Sequence, residues 1–288
     1  MSLITSVYRE LVMGGHILAL GTASMAAASA IMLGGKPTAV LLVMAYLFSY
    51  GAYMMNRNAE MEEDAVSNPV RTGYLSRRGK YLPLITLSCF ATGYLLAALT
   101  NLFFFLALLL PLFLSLLYSV GSGRLVRLLG ARKLKEKLLF KNITISFGWS
   151  LIPLLVALYY QRVSLELLLI APFIFLRLML NTIFFDVRDL EGDKANGIRT
   201  LPVAFGRERS FRAMAVLDLL SSLYLVSLVG LTLLPPYSLI LVLLPVYSAL
   251  YRWLASSERA MIGVLCDFVA DGEYVFWGPL IYLGKILF

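Results

Sequence analysis

Three aspartates with helical spacing follow one of the most apolar passages of the chain. Asp186, Asp189 and Asp193 stand directly after the stretch LMLNTIFF, at intervals of three and four residues. On a helix that continues out of this passage, residues with these intervals share one face. The spacing therefore predicts a column of carboxylates at the end of an apolar helix.

A second column of oxygen-bearing side chains follows an earlier apolar passage. Asn56, Glu60 and Asp64 are four and four residues apart and again share one helix face. Carboxylate and amide oxygens are the ligands that Mg²⁺ prefers, and Mg²⁺ completes its coordination with water and substrate phosphates. Neither column contains His or Cys, which argues against zinc or a redox metal. Any one of these acids also fits a solvated residue at a helix end, but the two columns together favour a Mg²⁺ site.

Basic residues surround both columns. Those near the acids are Arg71, Arg188, Lys194 and Arg199, and the segment 121–141 adds Arg124, Arg127, Arg132, Lys133, Lys135, Lys137 and Lys141. Acid columns with bases around them suit metal ions that bridge to a phosphate or diphosphate, whose remaining charge the bases neutralise. Each base taken singly also fits a residue that marks the cytoplasmic side of a membrane helix.

The elements that must position these residues are membrane helices. Of the 288 residues, 60% are hydrophobic and 15% are charged, and the mean hydropathy is +0.81. The apolar runs are continuous and lack the alternation of barrel strands, and only helices or closed barrels span a bilayer. The sequence therefore predicts an all-α, polytopic membrane protein. The nine predicted spans are 12–33, 38–55, 81–100, 102–120, 138–159, 165–185, 211–233, 236–254 and 261–287.

The distribution of basic residues predicts the orientation of these spans. The segments 56–80, 121–141, 186–212 and 251–260 contain 20 of the 25 Lys and Arg residues. By the positive-inside rule, these segments and the N-terminus are cytoplasmic and the C-terminus is outside. We therefore expect a multi-pass protein of the cell membrane with both acid columns at the cytoplasmic rim. The net charge of +8 does not indicate a nucleic-acid partner, because no soluble domain presents it.

A weak internal repeat suggests how the two columns meet. Residues 1–288 are predicted to form one domain, in which spans two and six each end in an acidic segment. We expect two four-helix pseudo-repeats at about 12–120 and 138–254, followed by a ninth helix at about 261–287. Parallel halves of this kind would bring both acid columns to the same membrane face.

Polar side chains also occur inside the predicted spans. Arg177 and Asn181 lie one turn apart in span six and lead toward Asp186. Because a charged residue inside a membrane is costly, it is functional by default. We expect Arg177 and Asn181 to line a cavity, with a structural pair as the alternative. Asp267 and Asp271 in span nine could assist an acceptor or serve as the partner of Arg177.

The segment 186–206, DVRDLEGDKANGIRTLPVAFG, resembles the second aspartate-rich motif of the UbiA superfamily of intramembrane prenyltransferases, including the TLP triplet and the glycine after it. The first motif of that family, NxxxDxxxD followed by Pro and Arg, is similar to NRNAEMEEDAVSNPVR at 56–71, in which Glu60 replaces an aspartate. The nine-helix count, LYS at 117–119 and KN at 141–142 extend the resemblance over nearly the whole chain.

The resemblance implies a fold and a reaction. The fold would be a UbiA-like bundle with a central cavity open to the cytoplasmic side. Two Mg²⁺ ions would bind the diphosphate of an isoprenyl donor and assist its departure, and a lipophilic acceptor would attack the allylic carbocation. The apolar bundle would hold the isoprenoid tail and exclude water.

The resemblance also implies roles for individual residues. The metal ligands would be Asn56, Glu60, Asp64, Asp186, Asp189 and Asp193, of which Asp189 either ligates or supports Asp186. The catalytic set would be Asp64, Asp186, Arg71, Tyr118 and Lys141, where Tyr118 stabilises the cation, contacts the acceptor or is an interfacial aromatic residue. The residues that could contact the diphosphate are Arg71, Arg124, Arg127, Lys141, Arg188, Lys194, Arg177 and Asn181.

The acceptor and one alternative function stay open. An aromatic quinone precursor, a tetrapyrrole and an archaeal glycerol phosphate ether lipid are all acceptors in this family. A membrane transporter or ion-coupled carrier is the alternative, since pseudo-repeats and intramembrane charges also occur there. Transporter sites lie near the bilayer midplane, whereas these acids fall at span ends, which favours the transferase. A phosphatase would need a nucleophile that the sequence does not show.

Overall fold

The computed structural model describes residues 3–59, 61, 65, 68–119, 138–195, 197–257 and 261–288. Throughout these ranges the regular elements are helices and no strand is present, which confirms the predicted all-α class. Four residues of the predicted site, Glu60, Asp64, Arg124 and Arg127, lie outside the described residues, as does the side chain of Tyr118.

The helices follow the predicted apolar passages closely. The first half contains α1 (Leu3–Met13), α2 (His16–Met32), α3 (Ala39–Ala59), α4 (Pro69–Ser76), α5 (Leu82–Thr100), α6 (Leu102–Ala107) and α7 (Leu109–Ser119). The second half begins with α8 (Phe140–Ser150), α9 (Ile152–Tyr159), α10 (Leu165–Arg188), α11 (Leu190–Ala195), α12 (Leu201–Phe205) and α13 (Arg207–Gly230). A 3₁₀ helix (Pro236–Val242), α14 (Leu243–Ser257), α15 (Ile262–Val264), a π-helical turn (Leu265–Ala270), a 3₁₀ turn (Glu273–Phe276) and α16 (Trp277–Leu287) complete the chain.

Six helical segments of the described chain are long and apolar enough to cross a membrane. They are Ala39–Ala59, Leu82–Thr100, Phe140–Tyr159, Leu165–Arg188, Arg207–Gly230 and Pro236–Ser257. The number rises to seven if Ser6–Met13 and His16–Met32, which are bent by 61°, form one span. The predicted count of nine is therefore not confirmed. The fourth predicted span contains only a shorter apolar helix, Leu102–Leu116, and the ninth is divided by the π-helical and 3₁₀ turns.

Helix α10 lies at the centre of the bundle and carries the second acid column at its end. Leu167, Phe173 and Leu178 on α10 are almost fully buried and share a core with residues of α2, α9, α13 and α16. By contrast, Leu95 and Leu99 on α5 are exposed, as expected for side chains that face lipid. Because α10 is packed on many sides, its last turn is a rigid support for the site.

Small residues fix the last helical segment against α2. The backbone N–H of Gly278 donates to Ser24 Oγ at 2.8 Å, and Ser24 Oγ donates to the carbonyl of Val275 at 2.7 Å. A Cβ at Gly278 would lie 3.0 Å from the carbonyl oxygen of Ser24, so glycine favours this close approach. Small residues at helix interfaces allow such contacts in membrane proteins. The segment that carries Asp267 and Asp271 is thereby anchored to the bundle.

Candidate active site

A cavity of about 400 Å³ lies among α2, α3, α8, α9 and α10. Most of its wall is apolar and includes Phe48, Phe90 and Trp149. Its charged lining residues are Arg57, Arg71, Lys141, Arg188, Asp189, Asp193 and Asp271. Most of these lie near the end of α3, the start of α8 and the end of α10, so the cavity has one polar end. An apolar cavity with convergent polar groups at one end suits an amphiphilic ligand.

Asp186 is fully buried on the last turn of α10 and is held by two residues of α8. Lys141 Nζ donates to its Oδ1 at 3.1 Å, and Asn142 Nδ2 donates to its Oδ2 at 2.7 Å. A buried carboxylate requires such partners, because an uncompensated charge is costly in a low-dielectric interior. Lys141 lines the cavity, whereas Asp186 is not one of its lining residues. The contact joins α8 to α10 beside the polar end.

Asp189 lies directly after α10 and is oriented by its neighbour Arg188. Arg188 Nε donates to Oδ1 of Asp189 at 2.7 Å, and Nη2 donates to Oδ2 at 2.8 Å. Burial raises the pKa of Asp189, but the adjacent guanidinium outweighs this effect and holds the pKa below its usual range. Asp189 is therefore a carboxylate of fixed orientation, and it lines the cavity.

Asp193 on α11 has a buried oxygen without a partner. No described residue forms a hydrogen bond with its Oδ2, an uncommon state for a buried polar atom. Burial raises the pKa of this carboxyl to about 6; Asp186 and Asp189 act in the same direction, and Lys141 and the nearby Thr200 hydroxyl oppose them. After α11, Gly197 adopts a φ of 69°, and the N–H of Ile198 donates to the carbonyl of Asp193. The loop therefore turns back toward the cavity, and a cation could satisfy Oδ2.

The described residues offer oxygen ligands from both predicted columns. Asn56 on α3 lines the same cavity as Asp189 and Asp193. In the described part of the chain, no group of three or more His, Cys, Asp or Glu side chains is arranged to hold a metal ion. Since Glu60 and Asp64 lie outside that part, the first column contributes only Asn56 here. An all-oxygen donor set with one unpartnered buried oxygen fits Mg²⁺.

Arg71 and Lys194 have different positions relative to the cavity. Arg71 is buried on α4 and lines the cavity. Asn68 precedes α4 and accepts a hydrogen bond from the N–H of Arg71 at 3.2 Å, and Pro69 occupies the first turn, as expected at a helix start. Lys194 is exposed on α11 and does not line the cavity, which departs from the expectation that it contacts a diphosphate.

Arg177 lies outside the cavity, whereas Asn181, one turn further along α10, lines it. Arg177 is fully buried and donates to Glu273 Oε1 at 2.7 Å, to Asp218 Oδ1 at 2.5 Å and to the carbonyl of Leu244 at 3.2 Å. The expectation that Arg177 lines the cavity is therefore corrected. The alternative structural pair is present, and its partners are Glu273 and Asp218.

Two asparagines at the site were given no role in the sequence analysis. Asn142 donates to Asp186, and Asn68 caps α4 and donates to Asp267 Oδ2 at 3.1 Å. The signal for Asn68 is its position before Pro69 at a helix start. Asn142 follows Lys141 in sequence, but an amide next to a lysine does not by itself indicate a partner on another helix.

The UbiA prenyltransferase family model matches residues 17–262, which is most of the chain. The chain belongs to the UbiA prenyltransferase family. The resemblance inferred from the two acidic segments is thereby confirmed. The family and the long apolar helices together make the chain a multi-pass membrane protein.

Two similar proteins share one name. The digeranylgeranylglyceryl phosphate synthase of Thermococcus kodakarensis is 28% identical over 200 residues, which are 67% of this chain and 67% of that protein. The digeranylgeranylglyceryl phosphate synthase of Pyrococcus furiosus is 29% identical over 190 residues, which are 65% of this chain and 63% of that protein. The matched stretches thus span about two thirds of these relatives.

A solved UbiA homologue from Archaeoglobus fulgidus, bound to GPP and Mg²⁺, has a similar fold. The TM-score is 0.64 at 16% sequence identity, and the match covers 95% of this chain and 98% of that one. The bundle described above is therefore the UbiA fold over nearly its whole length.

Proposed function

We propose that this UbiA protein transfers an isoprenyl group from an isoprenyl diphosphate to a glyceryl phosphate lipid in a reaction that depends on Mg²⁺. The observation that carries the proposal is the cavity, whose apolar wall ends among arginines, a lysine and the second acid column. The names of the relatives, digeranylgeranylglyceryl phosphate synthases, support a glyceryl phosphate lipid as acceptor. The same features favour a transferase over a transporter.

The residues of the polar end are assigned as follows. Asn56, Asp189 and Asp193 would hold Mg²⁺, together with Glu60 and Asp64 of the first column and with Asp186, which lies next to them but outside the cavity wall. The metal would supply positive charge to the departing diphosphate. Arg71 and Lys141, which line the cavity, would neutralise the remaining charge on the diphosphate.

The acceptor would be a second anionic substrate of the same cavity. Four cations and three carboxylates face the cavity in the described part of the chain, and Mg²⁺ would add positive charge at the polar end. The acceptor would bring a phosphate and a hydroxyl. After the carbon–oxygen bond to the diphosphate breaks, the hydroxyl oxygen would bond to the allylic carbocation, and its proton would pass to the departing diphosphate. The apolar wall would exclude water, which would otherwise capture the carbocation.

The test is a transfer assay with purified protein in detergent. Labelled geranylgeranyl diphosphate and Mg²⁺ would be supplied with either geranylgeranylglyceryl phosphate or an aromatic hydroxy acid. We expect a labelled diether phosphate with the lipid only, and we expect chelation of Mg²⁺ to abolish it. If product forms only with the aromatic hydroxy acid, the assignment of a glyceryl phosphate lipid as acceptor is wrong. If chelation of Mg²⁺ does not reduce product formation, the proposed metal dependence is wrong.

Gly148 is predicted to limit the length of the donor chain that the cavity accepts. It lies on α8 and lines the cavity, and a Cβ built on it meets nothing within 4 Å. It is seven residues beyond Lys141, or about 10 Å along the helix from the polar end. The Gly148→Leu variant should therefore fill space that a long isoprenyl chain needs, without clashing with protein. We expect kcat/KM for geranylgeranyl diphosphate to fall at least about tenfold.

The measurement for Gly148 is a comparison of donors of increasing length. Dimethylallyl diphosphate should be used equally well by the wild type and by Gly148→Leu, because it does not reach this depth. Gly230→Leu is the control, since Gly230 also lies on a helix, has open space at its Cβ and does not line the cavity. An equal loss for short and long donors would refute the role of Gly148.

A further inference from the structure

Asp267 connects three residues of the site although it lies outside both acidic motifs. It belongs to the π-helical turn Leu265–Ala270 of the last helical segment. Its Oδ1 accepts hydrogen bonds from Arg188 at 2.5 Å and from Arg71 at 3.2 Å, and its Oδ2 accepts one from Asn68 at 3.1 Å. π-Helical turns are rare and occur frequently at functional sites.

The three partners of Asp267 come from the two sides of the cavity. Asn68 and Arg71 belong to the start of α4, which follows the first acid column along the chain. Arg188 ends α10 and also holds both carboxylate oxygens of Asp189. Arg71, Arg188 and Asp189 all line the cavity. Asp267 is thus the common partner of one arginine from each motif.

Asp267 supplies the negative charge between two buried guanidinium groups. The side chains of Arg71 and Arg188 are 6% and 7% exposed, and that of Asp267 is 14% exposed. Two guanidinium groups that donate to the same oxygen repel each other, and little water is present to screen them. One carboxylate between them compensates this repulsion and fixes both. Removal of such a buried partner leaves uncompensated charge, so both arginines would move.

We propose that Asp267 is a positioning residue that sets the orientation of Arg71 for the diphosphate and, through Arg188, the orientation of Asp189 for the metal. This role rests on the proposed function of the cavity. The last helical segment would thus contribute to the site through a residue that belongs to neither acidic motif.

The test uses Asp267→Ala and Asp267→Asn in the full-length purified protein. Loss of an outer partner of a metal site lowers metal affinity or activity by about 10- to 100-fold. We therefore expect Asp267→Ala to raise the Mg²⁺ concentration for half-maximal transfer by about that factor and to raise KM for the donor. The Asp267→Asn variant keeps an acceptor oxygen for both arginines but loses the charge, so its defect should be smaller.

Glu273→Gln is the matched control. Glu273 lies on the same helical segment, is more deeply buried than Asp267 and pairs with an arginine, but that arginine is Arg177, which does not line the cavity. Glu273→Gln should lower the thermal midpoint and leave the Mg²⁺ requirement unchanged. If Asp267→Ala lowers the thermal midpoint in the same way and leaves the Mg²⁺ requirement and donor KM at wild-type values, Asp267 is a structural residue only and the proposal is wrong.

A binding measurement separates this proposal from the proposed function. Calorimetric titration with geranylgeranyl diphosphate and Mg²⁺, without any acceptor, should show weaker binding to Asp267→Ala than to the wild type. If the wild type binds the donor but transfers it to no acceptor tested, the acceptor assignment fails while weaker binding by the variant still supports the role of Asp267. Equal donor binding by both proteins would overturn that role whatever the acceptor is.

Discussion

Replacement of Asp186 by asparagine is expected to lower prenyl transfer by about 10²- to 10³-fold, the effect of removing one well-placed electrostatic group from an active site. Asparagine has the same shape and keeps one acceptor oxygen for Asn142 or Lys141, so the contact between α8 and α10 should survive. The negative charge is lost beside Asp189 and Asp193. The measurement is kcat/KM for the donor as a function of Mg²⁺ concentration, together with the thermal midpoint.

Asp186 fits two roles in the structure, and a double-mutant cycle can distinguish them. Asp186 does not itself line the cavity and pairs with Lys141, so it is either part of the metal site or only the counter-ion of that lysine. If it is only a counter-ion, the Asp186→Asn, Lys141→Met double variant should be no worse than Lys141→Met alone. We expect the double variant to be worse and to need more Mg²⁺, because the second column has lost a carboxylate.

Asp218→Asn is the control for Asp186→Asn. Asp218 is also a buried carboxylate in an ion pair, but its partners are Arg177 and Arg252 and it does not line the cavity. Asp218→Asn should lower the thermal midpoint without changing the Mg²⁺ dependence. An unchanged Mg²⁺ dependence in Asp186→Asn would contradict a role of Asp186 in the metal site.

Helix positions could be predicted from the sequence because they depend on local properties. Apolar runs predict helices, and the position of Asp186 on the last turn of α10 follows from the run that precedes it. The single helix predicted for all three aspartates is interrupted at Asp189, so Asp193 lies on the separate helix α11. Asn68 followed by Pro69 is likewise a local signal for a helix start. The family resemblance added the pairing of the two motifs, which spacing alone does not show.

Contacts between distant helices could not be predicted in the same way. The sequence offered Asp267 and Asp271 as candidate partners of Arg177, but its observed partners, Glu273 and Asp218, are 96 and 41 residues away along the chain. Asp267, one of those candidates, instead pairs with Arg71 and Arg188. Which acid meets which base depends on the rotation of each helix and on the π-helical and 3₁₀ turns that divide the last segment. Hydropathy does not encode these turns, so the ninth span was predicted as continuous.

Replacement of Arg177 by methionine is expected to destabilise the protein by about 3–5 kcal/mol, the usual effect of removing one partner from a buried ion pair. Methionine keeps much of the side-chain volume, so packing changes little. Glu273 is 1% exposed, and without the guanidinium its described hydrogen-bond partner is the hydroxyl of Tyr251, at 3.5 Å. The measurement is the midpoint of thermal unfolding in detergent.

A compensating variant tests whether buried charge is the cause. Asp218 also pairs with Arg252 and accepts a hydrogen bond from Ser248, so it keeps partners when Arg177 is replaced. Glu273 is then the carboxylate left without a cation. The Arg177→Met, Glu273→Gln double variant should therefore regain much of the lost stability, because a neutral pair of similar volume replaces an isolated charge.

The control for Arg177→Met is a substitution at an exposed ion pair on α13. Arg212 and Glu208 are 3.7 Å apart with side chains 78% and 90% exposed, and such pairs contribute about 0–1 kcal/mol. Arg212→Met should therefore leave the thermal midpoint nearly unchanged. If Arg177→Met unfolds at the same temperature as Arg212→Met, the buried network does not hold α10 in the bundle. A low midpoint that the added Glu273→Gln substitution does not raise would show that the loss comes from packing and not from charge.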